Sequence, residues 1–152
     1  MRLTINATSA KMGGAATYLS NVLPEMARQM AGDSSTSVTI WGNVASVPDG
    51  PFHARRQAGA RAGGLRRLFF DQVTLPRMLR REGQDVLFSS ANIGPLRCPC
   101  RQVLLVRNPI YFSPEYERRM TNVGVKLRLR LQRWLTLQAV RRADHVLFPP
   151  GQ

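Results

Sequence analysis

The sequence has few acidic residues and almost no lysine. Its 152 residues include 22 lysines and arginines against 9 aspartates and glutamates, a formal net charge of +13, and Lys11 and Lys126 are the only lysines. A field of that sign attracts polyanions such as nucleic acid, anionic lipid headgroups or phosphorylated substrates. A compositional bias of the genome, or a more acidic remainder of a longer protein, explains the same composition. The charge alone names no partner.

Cysteine and histidine are also scarce. Cys98 and Cys100 stand in a Cys-Pro-Cys segment, where a disulfide would be strained, so we expect two reduced thiols. The only histidines, His53 and His145, do not extend the two cysteines into a metal-ligand pattern. No Ser-His-Asp or Cys-His arrangement can be argued, so no catalytic residue is assigned, and neither a metal nor a cofactor is expected.

Long hydrophobic runs are missing. No apolar segment approaches the roughly 20 residues that a membrane-spanning helix needs. The N-terminus lacks the charged and then apolar layout of a signal peptide. The length suits one α/β domain, which we interpret as a soluble cytoplasmic protein.

Strand-like and helix-like segments alternate along the chain, with a long Gly-, Pro- and Arg-rich connection over 42–64 that contains a short strand near Phe52. The predicted strands are 2–8, 37–41, 85–89, 102–107 and 144–148. One predicted helix follows Gly14 and runs to about Met30, with a kink or a late start at Pro24, and the others cover 65–81 and 125–142. Continuous apolar strands are typical of a parallel sheet that is buried on both faces. The pattern predicts an α/β fold with a Rossmann-like, mainly parallel sheet flanked by helices.

Two of the helices have apolar stripes beside basic ones. In the helix over 65–81, the predicted inward face consists of Leu68, Phe69, Gln72, Leu75 and Leu79. In the helix over 125–142, it consists of Leu127, Leu131, Trp134, Leu135 and Gln138. The last predicted strand has no following helix to cover it, so we expect a domain that is incomplete at its C-terminus, a truncated or frameshifted product.

Three loops follow predicted strands, where ligands bind in open parallel sheets. The first contains Gly13 and Gly14 at a helix start, the second is 89–95 with Asn92, and the third begins with Arg107 and Asn108. Free amides and the helix dipole at the first loop favour an anion. Arg107 can bind phosphate and Asn108 can orient a hydroxyl. Ordinary turns account for each of the three loops equally well.

The order of these segments resembles the N-terminal domain of retaining glycosyltransferases with the GT-B fold. The segments that carry the resemblance are Gly13-Gly14 with Tyr18-Leu19 and Leu23, Leu75-Pro76 before 85–89, 103–108 followed by Pro114-Glu115-Tyr116, and 142–149. The resemblance covers nearly the whole of 1–152 and is weakest over 42–64.

The resemblance implies that this domain receives the acceptor, while a second domain binds the nucleotide sugar. It implies that Gly13 and Gly14 lie near the donor diphosphate, and that Tyr18, Asn92, Arg107 and Asn108 bind a glycan or lipid-linked acceptor. Many relatives carry His-Asp where this chain has Arg107-Asn108. The family's donor-binding domain, with its pair of glutamates, has no counterpart in these residues, so the chain alone is expected to transfer no sugar at a useful rate.

The resemblance leaves two other roles open. The arginines at 66, 67, 77, 80 and 81, beside Phe69 and Phe70, suit peripheral contact with an anionic membrane, although a solvated helix face explains them too. A small basic nucleic-acid-binding module is the alternative function. No nucleic-acid motif is present and the aromatic residues are not interleaved with basic ones on strands, so no nucleic-acid partner is expected. A remnant without activity is a third possibility.

Overall fold

The computed structural model describes residues 1–8, 14–42, 44, 46–55, 64–90, 92–107 and 112–148. Six strands form one sheet in which all neighbours are parallel, in the order β3-β2-β1-β4-β5-β6. The strands are Arg2–Asn6 (β1), Ser37–Trp41 (β2), Phe52–Arg55 (β3), Val86–Ser89 (β4), Arg101–Leu105 (β5) and His145–Leu147 (β6). This order is that of a doubly wound Rossmann sheet.

Helices cover both faces of the sheet. They are Gly14–Gln29 (α1), Gly64–Phe69 (α2), Leu75–Arg81 (α3), Pro114–Arg119 (α4) and Val123–Arg142 (α5), with a π-helical turn at Phe70–Thr74 between α2 and α3. Asn122 caps α5, because its Oδ1 accepts hydrogen bonds from the amides of Gly124 at 2.8 Å and Val125 at 3.3 Å.

The strand register separates the two faces of the sheet. Leu3 and Ile5 pack against Leu19 and Leu23 of α1, so this side is the α1 face. On the opposite side, Leu87 packs against α3 and Leu104 packs against Ala139 of α5. Leu87 is aligned with Gln102, two residues before Leu104, so α3 and α5 lie on the same side, the α3/α5 face.

The predicted strands are confirmed, including the short one near Phe52, with ends that differ by at most two residues. All-parallel pairing and helices on both faces confirm the predicted fold class. The helix α4 was not predicted. Its signal is Ser113-Pro114, because Ser113 accepts a hydrogen bond from the Tyr116 amide at 3.3 Å and Pro114 occupies the first turn.

The π-helical turn corrects the predicted inward face of the helix over 65–81. The amide of Leu75 donates to the carbonyl of Phe70, five residues earlier, so one extra residue enters that turn. Phe70 therefore lies one turn below Leu75 and is 7% exposed, whereas Phe69 is 61% exposed. The prediction was right for Leu75 and Leu79 and wrong for Phe69. Phe70 instead packs near Trp41, with ring centroids 6.3 Å apart.

The predicted inward face of α5 is also largely wrong. Leu135 is buried, but Leu127, Leu131 and Trp134 are exposed. The buried side consists of Leu135, Thr136 and Ala139. Small and polar residues pack inward here, so hydrophobicity does not identify the contact side. None of the helices in the described part of the chain is long and apolar enough to cross a membrane.

The neighbouring phenylalanines test the π-helical turn. Phe70→Ala should lower the free energy of unfolding by about 3 kcal/mol or more, because it leaves a cavity against the sheet. Phe69→Ala should change it by less than about 0.5 kcal/mol, because that ring is exposed. Urea unfolding of both variants measures the difference. Equal losses, or a larger loss for Phe69→Ala, would contradict the observed turn and restore the regular helical period.

Candidate functional site

The strand order predicts a ligand site at the carboxyl edge of the sheet, beside β1. The chain runs from β1 towards β2 and β3 on one side, and β4, β5 and β6 lie on the other side of β1. Ligands of open α/β sheets bind outside the carboxyl ends of the strands at such a reversal of strand order. The candidate site is therefore built from the residues that follow β1, β4 and β5.

Asn6, the last residue of β1, connects the parts of this edge. Its Nδ2 donates to Asp71 Oδ1 at 2.9 Å, and its Oδ1 accepts from the hydroxyl of Thr8 at 2.7 Å. The carbonyl of Asn6 accepts from the Ser90 hydroxyl at 2.8 Å. One buried residue thus holds β1, the turn after it, the loop after β4 and the π-helical turn in fixed positions.

Asp71 is a buried carboxylate on the α3/α5 face, only 2% exposed. Burial raises its pKa above the ordinary value of 3.8, while the hydrogen bond from Asn6 and the charge of Arg67 act to lower it. Arg67 Nε lies 3.5 Å from Asp71 Oδ2. The π-helical turn is what brings an acidic residue to this side, directly after the phenylalanine that packs on the sheet.

Three of the residues predicted to bind an acceptor lie together. The guanidinium of Arg107 lies over the ring of Tyr18, 5.3 Å from its centroid. The backbone amide of Arg107 donates to Asn92 Oδ1 at 2.8 Å. Residues from α1, from the loop after β4 and from the end of β5 therefore meet at the carboxyl edge. A cation–π contact contributes about 0.5–1 kcal/mol at an exposed site, which favours this position of the guanidinium.

The other predicted site residues are described only in part. Gly14 is the first residue of α1. Gly13 and Asn108 lie outside the described residues. The geometry thus brings together Tyr18, Asn92 and Arg107, with Gly14 at the start of the helix that carries Tyr18.

Residues outside the predicted binding site hold the loop after β4 in place. Gln72, on the π-helical turn, donates to the carbonyl of Gly94 at 3.0 Å and accepts from the amide of Leu96 at 2.9 Å. A Cβ at Gly94 would overlap the side-chain amide of Gln102, so a larger residue there would require that side chain to move. Gln102 and Ser89 are buried and, among the described residues, their side-chain polar atoms have no hydrogen-bond partner.

The cysteines lie apart from this site, in the loop before β5. Both thiols are free, and their sulfur atoms are 3.6 Å apart. A hydrogen bond from Cys100 lowers the pKa of Cys98, and the same interaction raises the pKa of Cys100. Within the described ranges, no three histidine, cysteine, aspartate or glutamate side chains are grouped as metal ligands.

Comparisons with protein-family models, with curated proteins and with solved structures found no match for this chain. The class of protein is therefore defined by the fold alone. It is an α/β protein with a six-stranded parallel sheet in Rossmann order and a polar cluster at the carboxyl edge.

The buried carboxylate gives a testable pH dependence. Because the pKa of Asp71 is higher in the folded chain than in the unfolded chain, the folded state retains a proton that the unfolded state releases. The contribution of Asp71 to the free energy of unfolding therefore falls as pH rises from 3.8 through the raised pKa. Asp71→Asn should become progressively more stable relative to wild type over this range, as measured by urea unfolding at several pH values.

Asp33→Asn is the matched control with the opposite sign. Hydrogen bonds from Ser35 and Thr36 lower the pKa of the exposed Asp33 to about 2. The stability that Asp33 contributes is present above its unfolded pKa and is lost as pH falls towards about 2. Removing it should cost stability at neutral pH and nothing at the acid end. A stability difference between Asp71→Asn and wild type that does not vary with pH would contradict the burial of a titrating carboxylate.

Proposed function

We propose that this chain is the acceptor-side domain of a glycosyltransferase of the GT-B type. In this proposal the carboxyl edge of the sheet forms one wall of a cleft, and a donor-binding domain that carries the nucleotide sugar forms the other. The strand order supports the proposal because open α/β sheets bind their ligands at such a reversal of strand order, outside the carboxyl ends of the strands. The resemblance of the segment order supplies the reaction class.

The observation that carries the proposal is the meeting of Tyr18, Asn92 and Arg107 at that edge. Arg107 supplies a permanent, planar positive charge that suits phosphate or sugar hydroxyls. Its backbone is fixed by Asn92 and its head group by Tyr18, so a ligand would meet a preorganised cation. A glycan linked to a lipid through phosphate offers Arg107 both phosphate oxygens and sugar hydroxyls.

The start of α1 has the second role in the proposal. The N-terminus of a 16-residue helix favours an anion through the helix dipole. We place the donor diphosphate near Gly13 and Gly14 on this ground and on the family resemblance. No cofactor or metal enters the proposed reaction.

Asp71 is a positioning residue in this account. It is buried and occupied by Asn6 and Arg67, so it does not reach the reacting atoms. Its role is to hold Asn6 and thereby the turn that follows β1. Charge stabilisation in the transition state would need both walls of the cleft. We therefore expect the isolated chain to transfer no sugar from a panel of nucleotide sugars, and robust transfer would contradict this expectation.

Acceptor binding to the isolated chain tests the proposed site. Calorimetric titration with water-soluble, short-chain polyprenyl-diphosphate sugars and free oligosaccharides should reveal binding of at least one class. Arg107→Gln should weaken that binding by about tenfold or more, because a hydrogen bond to a charged group is lost.

Arg101→Gln is the control for this experiment. Arg101 is an exposed arginine at the amino end of the same strand, far from the carboxyl edge. The Arg101→Gln substitution removes the same charge as Arg107→Gln and should leave the affinity for the acceptor unchanged. Equal weakening by both substitutions would indicate general charge attraction, and a complete lack of binding across the panel would overturn the proposed function.

A further inference from the structure

The outer side of α5 is apolar and exposed. This helix contacts the sheet through Leu135, Thr136 and Ala139. The large apolar side chains that it leaves in solvent are Val123, Val125, Leu127, Leu131, Trp134 and Leu137. Leu127 is 69% exposed and Trp134 is 53% exposed. Exposed apolar patches of this kind mark contact sites for proteins or membranes.

The same helix is strongly basic. Over its 20 residues it has no acidic residue, and its cations are Lys126, Arg128, Arg130, Arg133, Arg141 and Arg142. Glu117 of α4 pairs with one of them, Arg130, at 2.7 Å. Among the described residues, the other five cations of α5 form no ion pair. The exposed apolar residues of α5 are therefore surrounded by cations that are available to an anionic partner.

The segment from α2 to α3 on the same face is also basic, whereas α4 balances Glu115 and Glu117 with two arginines. The segment from α2 to α3 adds five arginines and exposes Leu65 and Phe69. The only acidic residue of α2, α3, α5 and the π-helical turn is the buried Asp71, set against eleven of the 22 arginines and lysines of the chain. On the opposite face, α1 contains one arginine, Arg28, which pairs with Glu25.

We propose that the α3/α5 face docks on the surface of an anionic phospholipid bilayer, with Leu127 and Trp134 at the boundary between headgroups and acyl chains. Helices that lie in this boundary combine Lys and Arg with exposed Trp, Phe and Leu, as α5 does. Tryptophan favours the interface, and each basic residue near an anionic leaflet adds attraction. This inference does not depend on sugar transfer.

The charges favour a bilayer over two other partners. A second copy of the chain would bring two strongly basic faces together, which like-charge repulsion disfavours. Nucleic acid would neutralise the arginines but would leave Leu127, Leu131 and Trp134 without apolar contact. A lipid surface satisfies both the cations and the apolar residues.

Flotation with vesicles tests the proposal on the full chain. The protein should bind vesicles of equimolar phosphatidylcholine and phosphatidylglycerol and should not bind vesicles of phosphatidylcholine alone. In a Trp41→Phe variant, Trp134 is the only tryptophan and reports its own environment. Its emission should shift to shorter wavelength with the anionic vesicles only.

Substitutions separate the apolar and the electrostatic parts. Leu127→Gln with Trp134→Gln should lower the partition coefficient by about tenfold or more, because the inserted side chains are lost. Arg141→Gln should lower it by about fivefold. Arg28→Gln removes the same charge from the last turn of a helix on the opposite face and should have no effect.

Three results would overturn the proposal. The first is binding that does not depend on phosphatidylglycerol. The second is an emission of Trp134 that shifts with protein concentration in the absence of vesicles, which would indicate self-association. The third is vesicle binding that the Leu127→Gln, Trp134→Gln double substitution leaves unchanged, together with binding to a short DNA duplex that is tighter than vesicle binding and is also unchanged by the double substitution.

Discussion

The hydrogen bond between the Asn6 carboxamide and the Asp71 carboxylate joins the central strand to the helix that crosses the sheet. It lies at the point where the strand order reverses, so it fixes the relative position of the two halves of the fold. Both groups are buried, and an unpaired amide or carboxylate there would be costly. The extra residue in the π-helical turn allows Phe70 to pack on the sheet while the next residue, Asp71, accepts the hydrogen bond from Asn6.

Most of the fold can be predicted from the sequence, because buried parallel strands are continuous apolar runs with few alternatives. The segment Ser37–Trp41 shows this, since predicted and observed ends coincide. The π-helical turn could not be predicted, because periodicity assumes a constant number of residues per turn. The contact side of α5 was missed for a different reason. Ala139 and Thr136 pack inward, while larger apolar residues are left outside.

The candidate site likewise contains residues that could be predicted from the sequence and residues that could not. Asn92 and Arg107 were selected because they follow strands, and strand ends of a parallel sheet meet at one edge. Tyr18 was selected through the family resemblance alone. Asn6 and Asp71 were not selected. A polar residue at the end of a strand and a single acid in an arginine-rich helix indicate no site by themselves. Their contact appears only when the helical turn is packed against the sheet. Their partnership is a property of the tertiary structure.

The helices on the α3/α5 face have far more positive charge than α1 on the opposite face, so the described part of the molecule has an electric dipole roughly perpendicular to the sheet. A dipole in the electric field near a charged boundary experiences a torque before any contact is made. The chain would therefore approach a negative boundary already turned, with its sheet parallel to that boundary and the candidate site at the strand ends facing sideways. Substrates that diffuse within the plane of such a boundary would meet that site edge-on.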